Sequence, residues 1–152
     1  MKFITYLTVL LAVSALSGCG TYLAKTRYQE EMLSLCARDG APQVYKTVTL
    51  PSRYFENGIA KVERNPPDSP RNLAVAGRYI HVDREEYLKA EPEHRIALRM
   101  LEWSYVDSLT GETLGRQKTY CRDGGDTLSP NNTVDCCPQT SKLLLKTIFK
   151  QE

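Results

Sequence analysis

Two histidines, a glycine turn flanked by carboxylates, and five cysteines are the residues of this 152-residue chain whose types could carry chemistry. His81 stands two positions before Asp83, and on a strand the pair could set an imidazole beside a carboxylate. A general base or a metal ligand needs that arrangement. His94 is too far along the chain to complete a motif with them, and a partly exposed strand histidine is the plainer reading of His81. Asp123-Gly124-Gly125-Asp126 could place two carboxylates around a calcium ion. It lacks the spaced oxygen donors and closing Glu of an EF-hand loop, so a glycine-rich turn explains it as well. His81, Asp123 and Asp126 are therefore weak metal candidates, and no cofactor is implied. No Gly-x-Ser-x-Gly surrounds a serine, and no glycine loop is built to cradle phosphate. Cys121 could serve as a nucleophile only if unpaired. No catalytic residue is assigned.

The state of the thiols depends on where the chain resides, and residues 1–19 address that. Lys2 supplies a positive end, and a mostly apolar run follows from Phe3 to Leu16. As a helix it would cover about 21 Å, short of the roughly 30 Å hydrocarbon core of a bilayer. That length suits the apolar region of an export signal. The run ends in Leu16-Ser17-Gly18-Cys19, which resembles the lipobox of bacterial lipoproteins. The resemblance covers the first nineteen residues. It implies a diacylglyceryl thioether on Cys19, cleavage after Gly18, and acylation, typically with palmitate, of the new amino terminus. Several acyl chains anchor firmly where one holds only marginally, at about 0.8 kcal/mol per buried methylene. Gly20, rather than Asp, follows the cysteine, which by the same resemblance points to the outer membrane. In such a protein the glycosylation-like Asn131-Asn132-Thr133 is idle.

Export puts Cys36, Cys121, Cys136 and Cys137 in an oxidising compartment, where disulfides are expected. A bridge between the adjacent Cys136 and Cys137 needs strained geometry and ranks last. The better connectivities tie Cys36 to one member of that pair and Cys121 to the other. A link from Cys36 closes a loop of about 100 residues, for which chain entropy gives about 4.7 kcal/mol. Zinc is the competing reading, but there is no Cys-x-x-Cys and adjacent cysteines are poor ligand spacing.

Lys and Arg number 20 against 18 Asp and Glu, so no basic stripe argues for nucleic acid and no acidic excess argues for a basic partner. Nine tyrosines suit a β-rich domain. Loss of residues 1–18 leaves a single domain's length of chain. Residues 19–27 are expected as a lipid-anchored tether, and 28–152 as one α+β domain. Tyr28, Met32, Leu35 and Cys36 mark one face of a helix that stops at Asp39-Gly40. Val44 to Leu50 alternates and is expected as the first strand. Asn57-Gly58 signals a turn, with a short strand from Ile59 to Val62. The proline-rich stretch 65–70 is an exposed loop. A strand is expected at Arg78 to Val82, and a helical turn over Asp83 to Ala90 closed by Pro92. Residues 96–121 form a hairpin turning at Ser108 to Glu112. A loop runs from Arg122 to Pro138, and Thr140 to Phe149 is a terminal helix capped by Thr140 or Ser141. The class is α+β: a small antiparallel sheet, braced by disulfides, with the N-terminal and C-terminal helices on one face.

Cys36-Ala37-Arg38-Asp39-Gly40 followed by Val44-Tyr45-Lys46-Thr47-Val48 is similar to a stretch in small uncharacterised proteobacterial lipoproteins. That resemblance implies the same location and no particular activity. The expectation is a non-enzymatic envelope protein, held to the outer membrane by its N-terminal lipid and facing the periplasm, that works by contact with another envelope protein. The alternative is a small-ligand or metal-binding periplasmic module using the sheet face near His81 and the Asp123 loop.

Overall fold

The computed structural model describes residues 2–64, 73–124, 134–138 and 142–152, with side chains from Gly20 onward except those of Thr21 and His94. The chain opens with helix α1 (Lys2–Asp39) and short strands β1 (Gln43–Val44) and β2 (Val48–Leu50). After a 3-10 turn (Ser52–Tyr54) come β3 (Phe55–Glu56), β4 (Ile59–Ala60), β5 (Val62–Arg64) and β6 (Leu73–Val75). Long strands follow: β7 (Tyr79–Glu91), then a second 3-10 turn (Pro92–His94), β8 (Ile96–Asp107) and β9 (Thr113–Gly124). Strand β10 (Val134–Cys137), helix α2 (Lys142–Ile148) and β11 (Phe149–Gln151) complete it.

The coarse α+β class holds: a mostly antiparallel sheet with two helices. The main sheet runs β1-β9-β8-β7-β6-β5, and β10 joins β9 beyond the end of β1. The expected hairpin over 96–121 is the β8–β9 pair, which continues to Gly124 opposite Ile96. Asn57 and Gly58 both take positive φ, and they join β3 to β4 as the turn signal implies.

Several expectations are corrected. Val44 to Leu50 is two strands, not one. Tyr45 and Lys46 both donate their N–H to the Leu114 carbonyl, which ends the pairing of β1 with β9. Val48–Leu50 instead runs parallel to β11. Asp83 to Ala90 is no helical turn: β7 pairs with β8 from Tyr79↔Asp107 to Glu91↔Ile96. Its helix-forming residues are overridden by a long backbone ladder and by charge pairs such as Arg99–Glu85, 2.7 Å. Of the loop expected from Arg122 to Pro138, Arg122 to Gly124 belong to β9 and Val134 to Cys137 form β10, and residues 125–133 lie outside the described residues. Helix α2 stops at Ile148, because Phe149 turns inward and joins β2. The segment expected as a tether, 19–27, is part of helix α1, with Ala24 buried. The proline-rich loop and the cap at Thr140 or Ser141 lie outside the described residues.

The two helices lie on opposite faces of the sheet rather than on one. Facing residues of paired antiparallel strands share a side, and successive residues alternate. Tyr28 and Met32 of α1 pack on Ile96, Leu98, Met100 and Tyr120, the even-numbered face of β8 and β9. Leu144, Leu145 and Ile148 of α2, with Phe149, pack on Tyr79, Tyr105 and Val75, whose β7 and β8 members are odd-numbered. The molecule therefore has two cores, at opposite ends of the long strands. At Gly115 α2 and β1 both come close to β9, since a Cβ there would lie 3.0 Å from Ile148 Cδ1 and 2.8 Å from the Gln43 carbonyl oxygen.

Candidate functional site

The sulfur atoms gather where the end of α1 crosses β9 and β10. Cys121 and Cys136 face each other across the β9–β10 ladder and are joined in a disulfide, with a Cα separation of 4.1 Å. Cys121 is wholly buried, so it offers neither a free thiolate nor access to substrate. Cys36 and Cys137 are free thiols, both packed on the cluster around Tyr28, Leu98 and Tyr120. Cys137 is opposite Tyr120, which places it on the α1 side of the sheet, and its Sγ lies 3.6 Å from the Met32 carbonyl oxygen. Burial first, then the neighbouring Cys36 thiol, pushes its pKa up to about 12. At neutral pH it is a protonated, weak nucleophile.

Around the thiols a polar frame fixes the end of α1. The Tyr120 hydroxyl bonds Asp39 Oδ2 at 3.1 Å, and burial followed by that carboxylate pushes the phenol up to about 12. Arg122 is 1% exposed yet charged. Its guanidinium donates to Gln29 Oε1 of α1 at 2.9 Å, to the Gly124 carbonyl, and to Asp135 of β10, so one side chain ties helix, strand and edge together. Nothing in local composition singles out Arg122. Only its register opposite Leu98 puts it on the apolar face. A groove of 750 Å³ between α1 and β10 is lined by Gln29, Met32 and Leu33 of the helix and by Asp135, Cys136 and Cys137 of the strand.

His81 and Asp123 do not meet. His81 faces Tyr105, ring centroids 5.2 Å apart, whereas Asp123 faces Ala97, eight positions away along β8 and so roughly 26 Å distant. Burial lowers the His81 pKa, and the charge of Asp83 opposes this. Its Nδ1 is enclosed without a hydrogen-bond partner. Asp123 Oδ2 is 2.6 Å from Arg99 Nε, close enough for an ion pair but without the angle of a hydrogen bond. Arg99 also binds Glu85, so Asp123 is half of a charge network rather than an open ligand. Asp126 lies outside the described residues, as do the side chains of Cys19 and His94. Among the described residues, no three of His, Cys, Asp or Glu cluster as metal ligands, and no helix is long and apolar enough to cross a membrane.

No family model matches this chain, and neither curated proteins nor solved structures offer a match.

Proposed function

We propose that the chain is a lipid-anchored protein of the bacterial cell envelope, with lipid on Cys19, that acts by contact with another envelope protein rather than by catalysis. The observation that carries this reading is the Leu16-Ser17-Gly18-Cys19 stretch closing a short apolar run after Lys2. The Cys121–Cys136 disulfide is consistent with the oxidising side of a membrane. Gly20 rather than Asp after the lipid-bearing cysteine supports the outer membrane as the destination, with the domain facing the periplasm as part of the same reading.

A contact role is supported by α1 beyond the anchor, where Tyr22, Leu23 and Leu33 are 70%, 66% and 52% exposed. Contiguous exposed apolar surface marks sites of protein contact, and these side chains are where a partner seated along α1 would bury apolar area. Photo-crosslinking from Leu33 in intact cells tests this. A discrete adduct with one envelope protein, lost on Tyr22→Asp three helical turns earlier on the same side of α1, is expected. A diffuse pattern indistinguishable from that of a crosslinker at the exposed turn residue Leu109 would contradict it.

A further inference from the structure

We propose that Cys36 and Cys137 close into a second, reversible disulfide that clasps α1 to the β10 edge of the sheet. Separate features bring the pair together. Cys36 stands one helical turn after Met32, whose carbonyl oxygen Cys137 Sγ contacts, so both sulfurs occupy the same side of α1. Both are half-buried and pack on the Tyr28–Leu98–Tyr120 core. Gly40 closes the site from above. A Cβ there would lie 3.1 Å from Cys36 Sγ and 3.1 Å from Pro138 Cδ, so the chain leaving α1 presses the helix end against the residue after Cys137. The two side chains therefore share one packed cluster, and closure joins elements that already touch.

The reaction requires an oxidant that itself carries a disulfide, either a small molecule or the active-site disulfide of a thiol oxidase. One cysteine loses its proton to solvent and attacks a sulfur of that disulfide, releasing one oxidant thiol and leaving a mixed disulfide. The second cysteine, deprotonated in turn, displaces the remaining oxidant sulfur. Two protein thiols are thereby oxidised and one oxidant disulfide is reduced to two thiols. Burial keeps the proton on Cys137, which slows this exchange and also disfavours attack by Cys137 on the adjacent Cys136. Cys121 is wholly buried, whereas Cys136 and Cys137 both line the groove beside α1, so an exchanging thiol reaches either bond through its β10 cysteine. The Cys121–Cys136 bond is closed in the structure while Cys36 and Cys137 stand free, so the clasp is the weaker of the two and closes at a more oxidising poise. The clasp rests on the oxidising-compartment reading only for its state in the cell.

The test uses the full chain in detergent, equilibrated across reduced and oxidised glutathione ratios, acid-quenched, alkylated, digested and read by mass spectrometry. The expected result is two separate transitions. The peptide pair linked through Cys121 and Cys136 persists under the more reducing mixtures, and the pair linked through Cys36 and Cys137 forms only under more oxidising ones. Closure should raise the melting midpoint by roughly 10 °C, a shift absent in Cys36→Ala. The proposal is overturned if Cys36 and Cys137 stay alkylatable at every ratio, or if Cys36 is recovered linked to Cys121 or Cys136. Acid-trapped alkylation in whole cells separates the two readings. Reduced Cys121 and Cys136 there would contradict the compartment and leave the clasp as measured in detergent intact.

Discussion

Asp107 shows how single charges are held in this fold. It is 4% exposed, yet Arg78 Nε and an Arg78 terminal nitrogen donate to its two oxygens at 2.9 and 2.6 Å, and the Leu109 N–H donates at 3.0 Å. The Arg78 bond, aided by Leu109, lowers its pKa to about 2 against the opposing cost of burial. Since the folded pKa is below the unfolded value of about 3.9, its stabilisation is complete above that value and is lost as pH falls toward 2. Denaturation followed between pH 5 and pH 2 should show this as a steep loss of stability. Asp107→Asn should be less stable at pH 7 and flatter across that window. An unchanged slope would contradict the assignment. His81 behaves in the reverse chemical sense: burial favours its neutral form, so it withdraws stability as pH drops below its ordinary range.

At the scale of elements, the fold depends on close approaches that only small residues permit. Gly115 sits between the Gln43 carbonyl and Ile148, and Gly115→Ala must push α2 from the sheet or displace β1. A cost of about 1–3 kcal/mol is expected from chemical denaturation, and a neutral result would mean that α2 is not packed as described. The β8–β9 hairpin was legible in the sequence because a long alternating run and a polar turn lie side by side along the chain. The second half of β7 was not. Asp83-Arg84-Glu85-Glu86-Tyr87-Leu88-Lys89-Ala90 is rich in helix formers, and the strand is decided by pairing with β8, whose charges (Arg99 to Glu85) local composition does not weigh. The division of residues 44–50 was likewise hidden, since the partner of Val48–Leu50 is the chain's last strand. Of the candidate ligands, His81 and Asp123 were legible as residue types, but their separation along β8 is a property of register. Arg122 escaped notice because it reads as the first residue of a loop, and its burial follows only from β9 continuing past it opposite Leu98.

For the whole molecule, the two cores on opposite faces make α1 and α2 separate attachments to one sheet. Helix α1 is held by its apolar stripe, by Arg122 to Gln29, and by surface pairs such as Lys89–Glu31 at 2.6 Å, which add little in water. In the proposed envelope protein this helix is the direct continuation of the anchored end, so whatever fixes α1 to the sheet also fixes the domain relative to the membrane. The thiol clasp acts at that joint. The most direct test of the anchored reading is the intact mass of the full chain expressed in a bacterial host and purified from membranes, before and after reduction with alkylation. The account predicts a mass lacking residues 1–18 and carrying lipid on Cys19, with Cys121 and Cys136 alkylated only after reduction. An unprocessed, unlipidated mass whose thiols all alkylate without reduction would contradict it.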